Sequence, residues 1–529
     1  MGEKQEKREH WGSTLGFILA ASGSAVGLGN IWKFPYITGM NGGGAFVLVY
    51  LLCILVIGFP VMFCEITMGR NTQLNPAGAF RRLQPKFSHL ANFFGLGLLI
   101  TALALALFGS YGWAIIFGIV GALTLRYGWT AAGFIGIFTG FIILSFYSVV
   151  GGWTIGYMFK ACAMQLNFNQ VEQAHSVFIA FIDNPWWGIG MHLVFMALCV
   201  IILIKGIKAG IERWSIILMP MLVIILIALI LRAVTLPGAV KGISFFLTPD
   251  FGKLSAQGIL IAMGHAFFTL SLGMGVMITY GSYVAKDQNI FTATMSIIGI
   301  DTAVSLMAGL AVFPAVFAGG FNPAMGPGLA FEVLPTVFNA IPLGPMWAAL
   351  FFLLLAIAAL TSGISILEVV VAYLTDEWKM KRTAAVLWSG AAITLLGVLC
   401  AISVTGWQHI EWLHNIFVKV FNTQQGSFFD FMEYLSCNWL LPVGGFLCSV
   451  FVGWVWGTNK AVEEIRHGSR NFADVHLISL IAGLKDDPTH NNHKFHVLTL
   501  ASVWGIFIRF ITPVAVAITF MHTAGWIKF

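Results

Sequence analysis

The chain has 529 residues, 58% of them hydrophobic and only 9% charged, and its mean hydropathy is +0.87. Such a composition would precipitate from water, so soluble enzymes and binding modules are excluded and lipid is its solvent. The net charge of +6 sits in short loops between apolar runs, where the positive-inside bias explains it better than nucleic acid does.

Met1 to Trp11 mixes Lys4, Lys7 and Arg8 with acids and leads into no small-residue cleavage site. It reads as a retained cytoplasmic tail rather than a signal peptide. A hydrocarbon core of about 30 Å needs roughly 20 apolar residues per helix, and runs of that size recur along one membrane domain, 1–529. Periodicity and breaks place helices at 14–38, 44–66, 131–160, 186–204, 214–232, 256–283, 290–318, 345–374, 385–404, 431–457 and 497–521, eleven principal spans.

Basic clusters at Arg70/Arg81/Arg82/Lys86, Lys205/Lys208/Arg213, Lys286, Lys379/Lys381/Arg382 and Lys460/Arg466/Arg470 fall in alternate loops on the side of the tail. They predict an N-terminus inside and a C-terminus outside. The long uncharged segment 92–125 stands outside this count. One extra crossing would invert every later loop, so the segment is expected to turn back at Gly109-Ser-Tyr-Gly112 as a shallow or re-entrant cytoplasmic hairpin. Its arms, roughly 15 residues each, are short for full spans. The alternative is a degenerate copy of the next helix, since Phe108-Gly-Ser-Tyr-Gly-Trp113 echoes Phe146-Tyr-Ser-Val-Val-Gly-Gly-Trp153. The seven cysteines are scattered without ligand-like spacing and suggest neither a disulfide framework nor a zinc site.

Two runs are interrupted at what should be bilayer depth: Gly23-Ser-Ala-Val-Gly-Leu-Gly-Asn30 in the first and Ser271-Leu-Gly-Met-Gly275 in the sixth. Glycine costs about 1 kcal/mol in a helix, and the plain alternative is close packing through small residues. Against it, Gly27/Gly29 and Gly273/Gly275 are spaced by two, which lines no single helix face. Paired interrupted helices in corresponding halves point to a transport site between inverted repeats. Unwound backbone at that depth is tolerable only where it lines a cavity or binds something. Free N–H groups attract a carboxylate and freed carbonyls a cation. Asn30, Thr269, Asp301 and the Thr361-Ser362 pair stand at the same depth. Asp301 is far from either end of its helix, where an unpaired charge costs several kcal/mol, and is read as functional. Glu65 and Glu368 are read as either braces between helices or functional acids.

Trp11-Gly-Ser-Thr-Leu-Gly16, Gly27-Leu-Gly-Asn-Ile-Trp-Lys-Phe-Pro35, Asn41-Gly-Gly-Gly-Ala-Phe46 and Glu65-Ile-Thr-Met-Gly-Arg70 together resemble the neurotransmitter:sodium symporter family. So do Ser145-Phe-Tyr-Ser-Val-Val-Gly-Gly-Trp153, Phe267-Phe-Thr-Leu-Ser-Leu-Gly-Met-Gly275 and Leu360-Thr-Ser-Gly-Ile-Ser-Ile366. The likeness covers nearly the whole chain except 92–125 and 468–493. It is not independent of the broken-helix argument, because this family is the type case of that arrangement.

The fold it implies is an all-α membrane protein of two inverted five-helix repeats with helices one and six broken. The first repeat is 14–232 with the inserted apolar hairpin 92–125, the second 256–457, and a final helix 497–521 follows. The function it implies is sodium-coupled symport of a neutral, hydrophobic L-amino acid across the inner membrane by alternating access, with no enzymatic activity. A monomer or weak homo-oligomer is expected, in contact with membrane lipid and with no nucleic-acid partner.

By position, the resemblance implies two Na+ sites. One is made by the Ala25 carbonyl, Asn30, Thr269, Asp301 and the substrate carboxylate. The other is made by the Gly23, Val26 and Ala358 carbonyls with the Thr361 and Ser362 hydroxyls. The substrate carboxylate is implied at the Leu28 and Gly29 amides and the Tyr147 hydroxyl. Its amine falls near Ser24, Ala25, Thr269, Ser271 and Ser362, and its side chain is walled by Ile143, Phe268, Met274 and Ile366. Gly27 stands where monoamine carriers hold an aspartate, which favours an amino acid over an amine. The outer gate is expected to be Lys33 with Asp430, under a lid of Phe268 and Tyr147, and the inner latch Arg8 with Asp376, helped by Trp11 and Tyr283. Lys33 replaces the usual arginine and so removes a bidentate fork.

The chloride pattern is the main departure. Tyr50 and Ser305 fit it, but His265 replaces a glutamine and Asp301 an asparagine. A fixed negative charge beside the first sodium predicts chloride-independent uptake. His265 is expected to be neutral and hydrogen-bonded, the alternative being titration near neutral pH. The rival reading of the whole chain is an amino-acid-binding sensor or channel on the same fold. The glycines of helix one lack the strand context of a dinucleotide loop, and no nucleophile, base and orienter gather at one depth as an enzyme would require.

Overall fold

The computed structural model describes every residue except 1–7, 87, 108–110, 169, 327, 406–414, 416–425, 470–471, 473–498 and 524–529. Among the described residues there is no strand, only an isolated bridge between Gly43 and Pro249. The first span is a bent pair, α1a (Thr14–Ala25) and α1b (Gly29–Met40), with 50° between the halves. There follow α2 (Gly44–Thr72), the short α3 (Pro76–Leu83), a hairpin of α4 (His89–Leu107) and α5 (Tyr111–Tyr127), α6 (Thr130–Cys162), α7 (Val171–Ile182), α8 (Pro185–Ile204) and α9 (Ile207–Val234). The second half holds α10 (Ala239–Leu247), the broken α11a (Ala256–Thr269) and α11b (Val276–Gly281), α12 (Ile290–Ala318), α13 (Leu329–Asn339), α14 (Gly344–Glu377), α15 (Arg382–Ser403), α16 (Phe428–Arg466) and α17 (Leu500–His522).

Ten described helices are long and apolar enough to cross a membrane, and the bent first pair makes an eleventh. That tally includes α4 and omits the sixth span, whose halves have only 14 and 6 residues. The hairpin is longer than its sequence suggests: α4 has 19 residues and α5 has 17, about 28 and 26 Å of helix. These lengths do not fit a shallow pair of 15-residue arms. Gly109 and Ser110, half of the expected turn, lie outside the described residues. Leu96, Ile100, Leu103 and Ile119 on its outer faces are more than half exposed, as lipid-facing side chains should be.

The uninterrupted α6 and α14, of 33 and 34 residues, pack along each other and form the frame. Glycines let α8 come close to α6: a Cβ on Gly152 would lie 2.7 Å from the His192 nitrogen, and one on Gly151 2.5 Å from the Phe195 ring. This is small-residue packing of the kind lipid-embedded helices rely on. α1a lies against α9, α12 and α14. Its first turn is capped by Ser13, whose Oγ accepts the Gly16 N–H at 2.9 Å, and Asn289 caps α12 the same way through Thr292 N–H at 3.0 Å. Each such cap contributes about 1 kcal/mol.

Buried charges tie the ends of helices together on the latch side. Arg70, fully buried, donates to Glu464 Oε1 at 3.0 Å, to the Gln288 carbonyl at 2.8 Å and to the Glu464 carbonyl, while Asn71 holds the other Glu464 oxygen at 2.7 Å. Thus α2, the segment before α12 and α16 are fastened at one point. Glu368, also fully buried, takes both Arg382 guanidinium nitrogens (3.1 and 2.7 Å) and the Tyr283 hydroxyl (2.6 Å). That geometry makes Glu368 a brace between α14, α15 and the end of α11b.

Candidate functional site

The two breaks face each other at the centre of the bundle. In the first, α1a ends at Ala25 and Val26 turns to an extended conformation. The Gly27 N–H donates to Asn30 Oδ1 at 3.0 Å and the Leu28 N–H to the Tyr147 hydroxyl at 3.2 Å. In the second, Ser271, Gly273 and Gly275 all have positive φ (53°, 78° and 77°), so the glycines there supply left-handed backbone. The freed Gly273 N–H donates to Glu65 Oε1 at 2.8 Å, which assigns Glu65 the role of bracing the broken sixth helix.

Side-chain hydroxyls stitch the breaks to α14. The Ser24 carbonyl accepts from Ser271 Oγ and from Ser362 Oγ, each at 2.9 Å, and Ser24 Oγ lies 2.6 Å from Ser365 Oγ. Ser362 Oγ is also 3.4 Å from the Gly23 and Val26 carbonyls, and Thr361 Oγ1 is 3.1 Å from the Ala358 carbonyl. Gly23, Val26, Ala358, Thr361 and Ser362 therefore present oxygen atoms at one meeting of α1 and α14.

A second polar cluster lies on the other side of the break. Asn30 Nδ2 donates to Asp301 Oδ1 at 2.7 Å and to Ser305 Oγ at 2.8 Å. Thr269 Oγ1 donates to Asp301 Oδ1 at 3.2 Å, and the Tyr50 hydroxyl is 3.3 Å from Ser305 Oγ. All five side chains are fully or almost fully buried. His265 is buried beside them, stacked on Phe34 at 5.9 Å and 16°. Its ring nitrogens meet no hydrogen-bond partner among the described residues, so the expected hydrogen-bonded histidine is instead one held by ring packing.

Between the breaks is a cavity of about 20 Å³ lined by Ser24, Ala25, Gly27, Gly29, Ile143, Tyr147, Phe268, Ser271, Met274, Ser362 and Ile366. That is room for about one water. Ten of the twelve residues implied for substrate line it. Leu28 joins through its N–H to Tyr147, and Thr269 stands apart with Asp301. A Cβ on Gly27 would come within 2.6 Å of Ser362 Oγ and 2.9 Å of the Tyr147 hydroxyl, so this conformation has no place for an aspartate there.

The residues implied for the inner latch are brought together at the N-terminal side. Arg8 pairs with Asp376 at 2.6 Å, donates to Ser282 Oγ at 2.7 Å and lies 4.9 Å over the Tyr283 ring. Trp11 Nε1 donates to the Tyr280 carbonyl at 3.0 Å, and its backbone N–H to the Tyr283 carbonyl. Glu212, which sequence reasoning missed, accepts the Gly12 N–H at 2.7 Å and the Ser13 hydroxyl at 3.0 Å. The signal available was a lone acid among the basic residues before the fifth span.

The outer pair corrects the expectation. Lys33 Nζ lies 3.4 Å from Glu433, not at Asp430, and 4.8 Å over the Phe268 ring. Asp430 instead accepts from the Ser427 hydroxyl at 2.8 Å in the first turn of α16. The two acids are three apart on one helix, and the one a turn further from its start takes the lysine.

The sodium:neurotransmitter symporter family matches residues 8–132 and 179–479, well over half of the chain. The chain belongs to that family. The symporter is 36% identical to the uncharacterized sodium-dependent transporter YhdH of Bacillus subtilis, over 99% of this chain and 100% of that one. A sodium-dependent transporter of Haemophilus influenzae is 32% identical over 98% and 99% of the two chains. Among solved structures, MhsT in complex with L-phenylalanine is 38% identical, with a TM-score of 0.76, covering 98% of this symporter and 100% of that chain. The protein is a sodium-dependent symporter with a multi-pass membrane fold.

Proposed function

We propose that this symporter carries a neutral, hydrophobic L-amino acid together with sodium, at the meeting of its two broken helices. The observation that carries the reading is the convergence on one small cavity of free backbone groups, hydroxyls and an apolar wall. The Leu28 N–H and the Tyr147 hydroxyl, 3.2 Å apart, are the carboxylate end. The Ser24 carbonyl, where Ser271 and Ser362 meet, is the amine end. Ile143, Phe268, Met274 and Ile366 offer nothing for a charged side chain to pair with. The likeness to MhsT, complexed with L-phenylalanine, supports an aromatic or large aliphatic substrate.

Two sodium positions suit the donor sets. The all-oxygen group of Gly23, Val26, Ala358, Thr361 and Ser362 matches what a hard cation takes. The Asn30–Thr269–Asp301 group, with the Ala25 carbonyl, adds a formal negative charge. A substrate carboxylate completing the second set would link the ion to the amino acid and make transport obligatory for both. Asp301 supplies the charge that chloride would otherwise bring, and uptake then needs no chloride. Opening of the Lys33–Glu433 end and of the Arg8–Asp376 end in turn exposes the site to either side. The basic loops support a cytoplasmic latch and N-terminus, with the two repeats at 14–232 and 256–457.

The test is uptake of a radiolabelled neutral amino-acid panel into proteoliposomes, with and without an inward sodium gradient and with gluconate in place of chloride. Sodium-driven, chloride-indifferent accumulation of hydrophobic amino acids is expected. Sodium-dependent binding without accumulation would replace the symport cycle by a sensor.

A further inference from the structure

The hairpin α4–α5 does not lie flush on the bundle. It is held off by aromatic struts: Phe94 meets Trp129 at 5.9 Å and Phe446 at 6.4 Å, and Trp113 stacks on Trp439 at 4.2 Å with 25° between the planes. Between the struts is a cavity of about 260 Å³, walled by the hairpin, the start of α6, α16 and α17. Apart from tryptophan ring N–H groups, its only polar side chain among the described residues is Thr124, whose hydroxyl is spent on the Val120 carbonyl at 2.8 Å.

Protein interiors keep few voids larger than a water molecule. An apolar cavity of about 150 Å³ stays dry and takes benzene, and an unfilled void destabilises in proportion to its volume. For a protein in a bilayer, the apolar filling at hand is an acyl chain. The cavity follows α5 from Trp113 to Thr124, a helical rise of about 17 Å, close to the depth of one leaflet of a core about 30 Å thick.

The Thr124 end is also the charged end. Arg126 and Lys86 are both exposed there, and among the described residues neither has an acidic partner. This end lies on the side of the Arg8 latch, since Gln84 holds the Trp129 N–H at 2.8 Å while nearby Arg81 pairs with Glu377, next to Asp376, at 2.7 Å. We propose that the cavity is the seat of an anionic phospholipid of the leaflet on the latch side, one acyl chain filling the space between hairpin and bundle and the phosphate held by Arg126 and Lys86.

The experiment uses the full-length symporter in nanodiscs with trace phosphatidylglycerol or phosphatidylcholine carrying a mid-chain diazirine, and maps photolabelled peptides by mass spectrometry. Phosphatidylglycerol should label the Leu98 and Phe117 peptides more than phosphatidylcholine does, by at least about fivefold, the effect of one basic residue at an anionic surface. Filling the cavity with Val120→Phe and Ala517→Phe should abolish that labelling and leave labels at outward-facing Ile100 unchanged. Arg126→Gln with Lys86→Gln should make the two lipids equivalent. Equal labelling by both lipids in the wild type, labelling that survives the filled cavity, or crosslinks to a second copy in place of lipid would overturn the proposal. If the filled variant loses its thermal transition, the charge variant decides: a retained preference for phosphatidylglycerol overturns the proposal, and its loss supports it.

Discussion

Asn30 and Asp301 meet at 2.7 Å in the middle of the bundle, both fully buried, the first in the opening turn of α1b and the second well inside α12. The amide donates to the acid, and the same amide reaches Ser305, so a single asparagine joins the first break to α12. An acid held there by two donors, Asn30 and Thr269, keeps unshared oxygen lone pairs for a cation.

Replacing that acid tests its charge. A unit charge 4 Å from an ion is worth about 4 kcal/mol at an effective dielectric of 20, so Asp301→Asn should weaken sodium activation of uptake by a factor of ten or more. Added chloride should restore part of it in the variant and none in the wild type. Unchanged sodium activation in the variant would remove Asp301 from the ion's surroundings.

The outer pair is partly exposed, with side chains 23% and 42% accessible, and such pairs contribute about 0.2–1 kcal/mol. Glu433→Gln should therefore speed release of bound substrate less than about fivefold, measured by dilution of sodium-loaded, substrate-loaded protein. Asp430→Asn should do less. A larger effect at Asp430 would return the gate to the position first read from the sequence.

The inner latch is better shielded, and charge-assisted hydrogen bonds are worth about 1.5–3 kcal/mol. Arg8→Ala should raise amide hydrogen exchange across Thr14–Ala25 by roughly tenfold or more in sodium-free buffer. Exchange no faster than in the wild type would mean that Trp11 and Glu212 hold the latch without the arginine.

Glu368 has no exposure at all. Leaving the part-buried Arg382 and the buried Tyr283 hydroxyl unpaired should cost up to about 3 kcal/mol, seen as a lower thermal midpoint of Glu368→Gln. The double variant with Arg382→Gln should recover part of the loss, because the stranded guanidinium is gone. If the double variant is no more stable than the single one, Glu368 acts through Tyr283 alone.

Much of this was legible in the sequence because lipid leaves few alternatives. Uncharged runs had to be helices, and Gly273 and Gly275 could only mark backbone that a helix does not use. Asp301 announced itself by depth. What was hidden depended on distances between remote segments. Glu433 and Asp430 lie one turn apart on the same helix, and no spacing rule says which one a lysine from α1b will reach. The hairpin reads as shallow when its run is bounded at 92–125 and split into arms of about 15 residues, whereas its helices run from His89 to Leu107 and from Tyr111 to Tyr127. Glu65 and Glu368 could not be sorted into brace or ligand until their partners, Gly273 and Arg382, were placed beside them.

The break in the first span bears on the energy of motion as well as on binding. At the break, the amides of Gly27 and Leu28 are already satisfied by Asn30 and Tyr147 rather than by the preceding turn. α1a is moored at its own far end by Arg8, Trp11 and Ser13, and α1b one turn past the break by Lys33. Val26 N–H bonds back to the Ser22 carbonyl and the Gly27 carbonyl forward to the Asn30 and Ile31 amides, so in the proposed cycle a swing about the Val26–Gly27 link would leave the hydrogen bonds of both segments in place. In that cycle the barrier to each half would lie in releasing the moorings, a few polar contacts at a time, and the rate of turnover would be tuned there without touching the residues that hold the cargo.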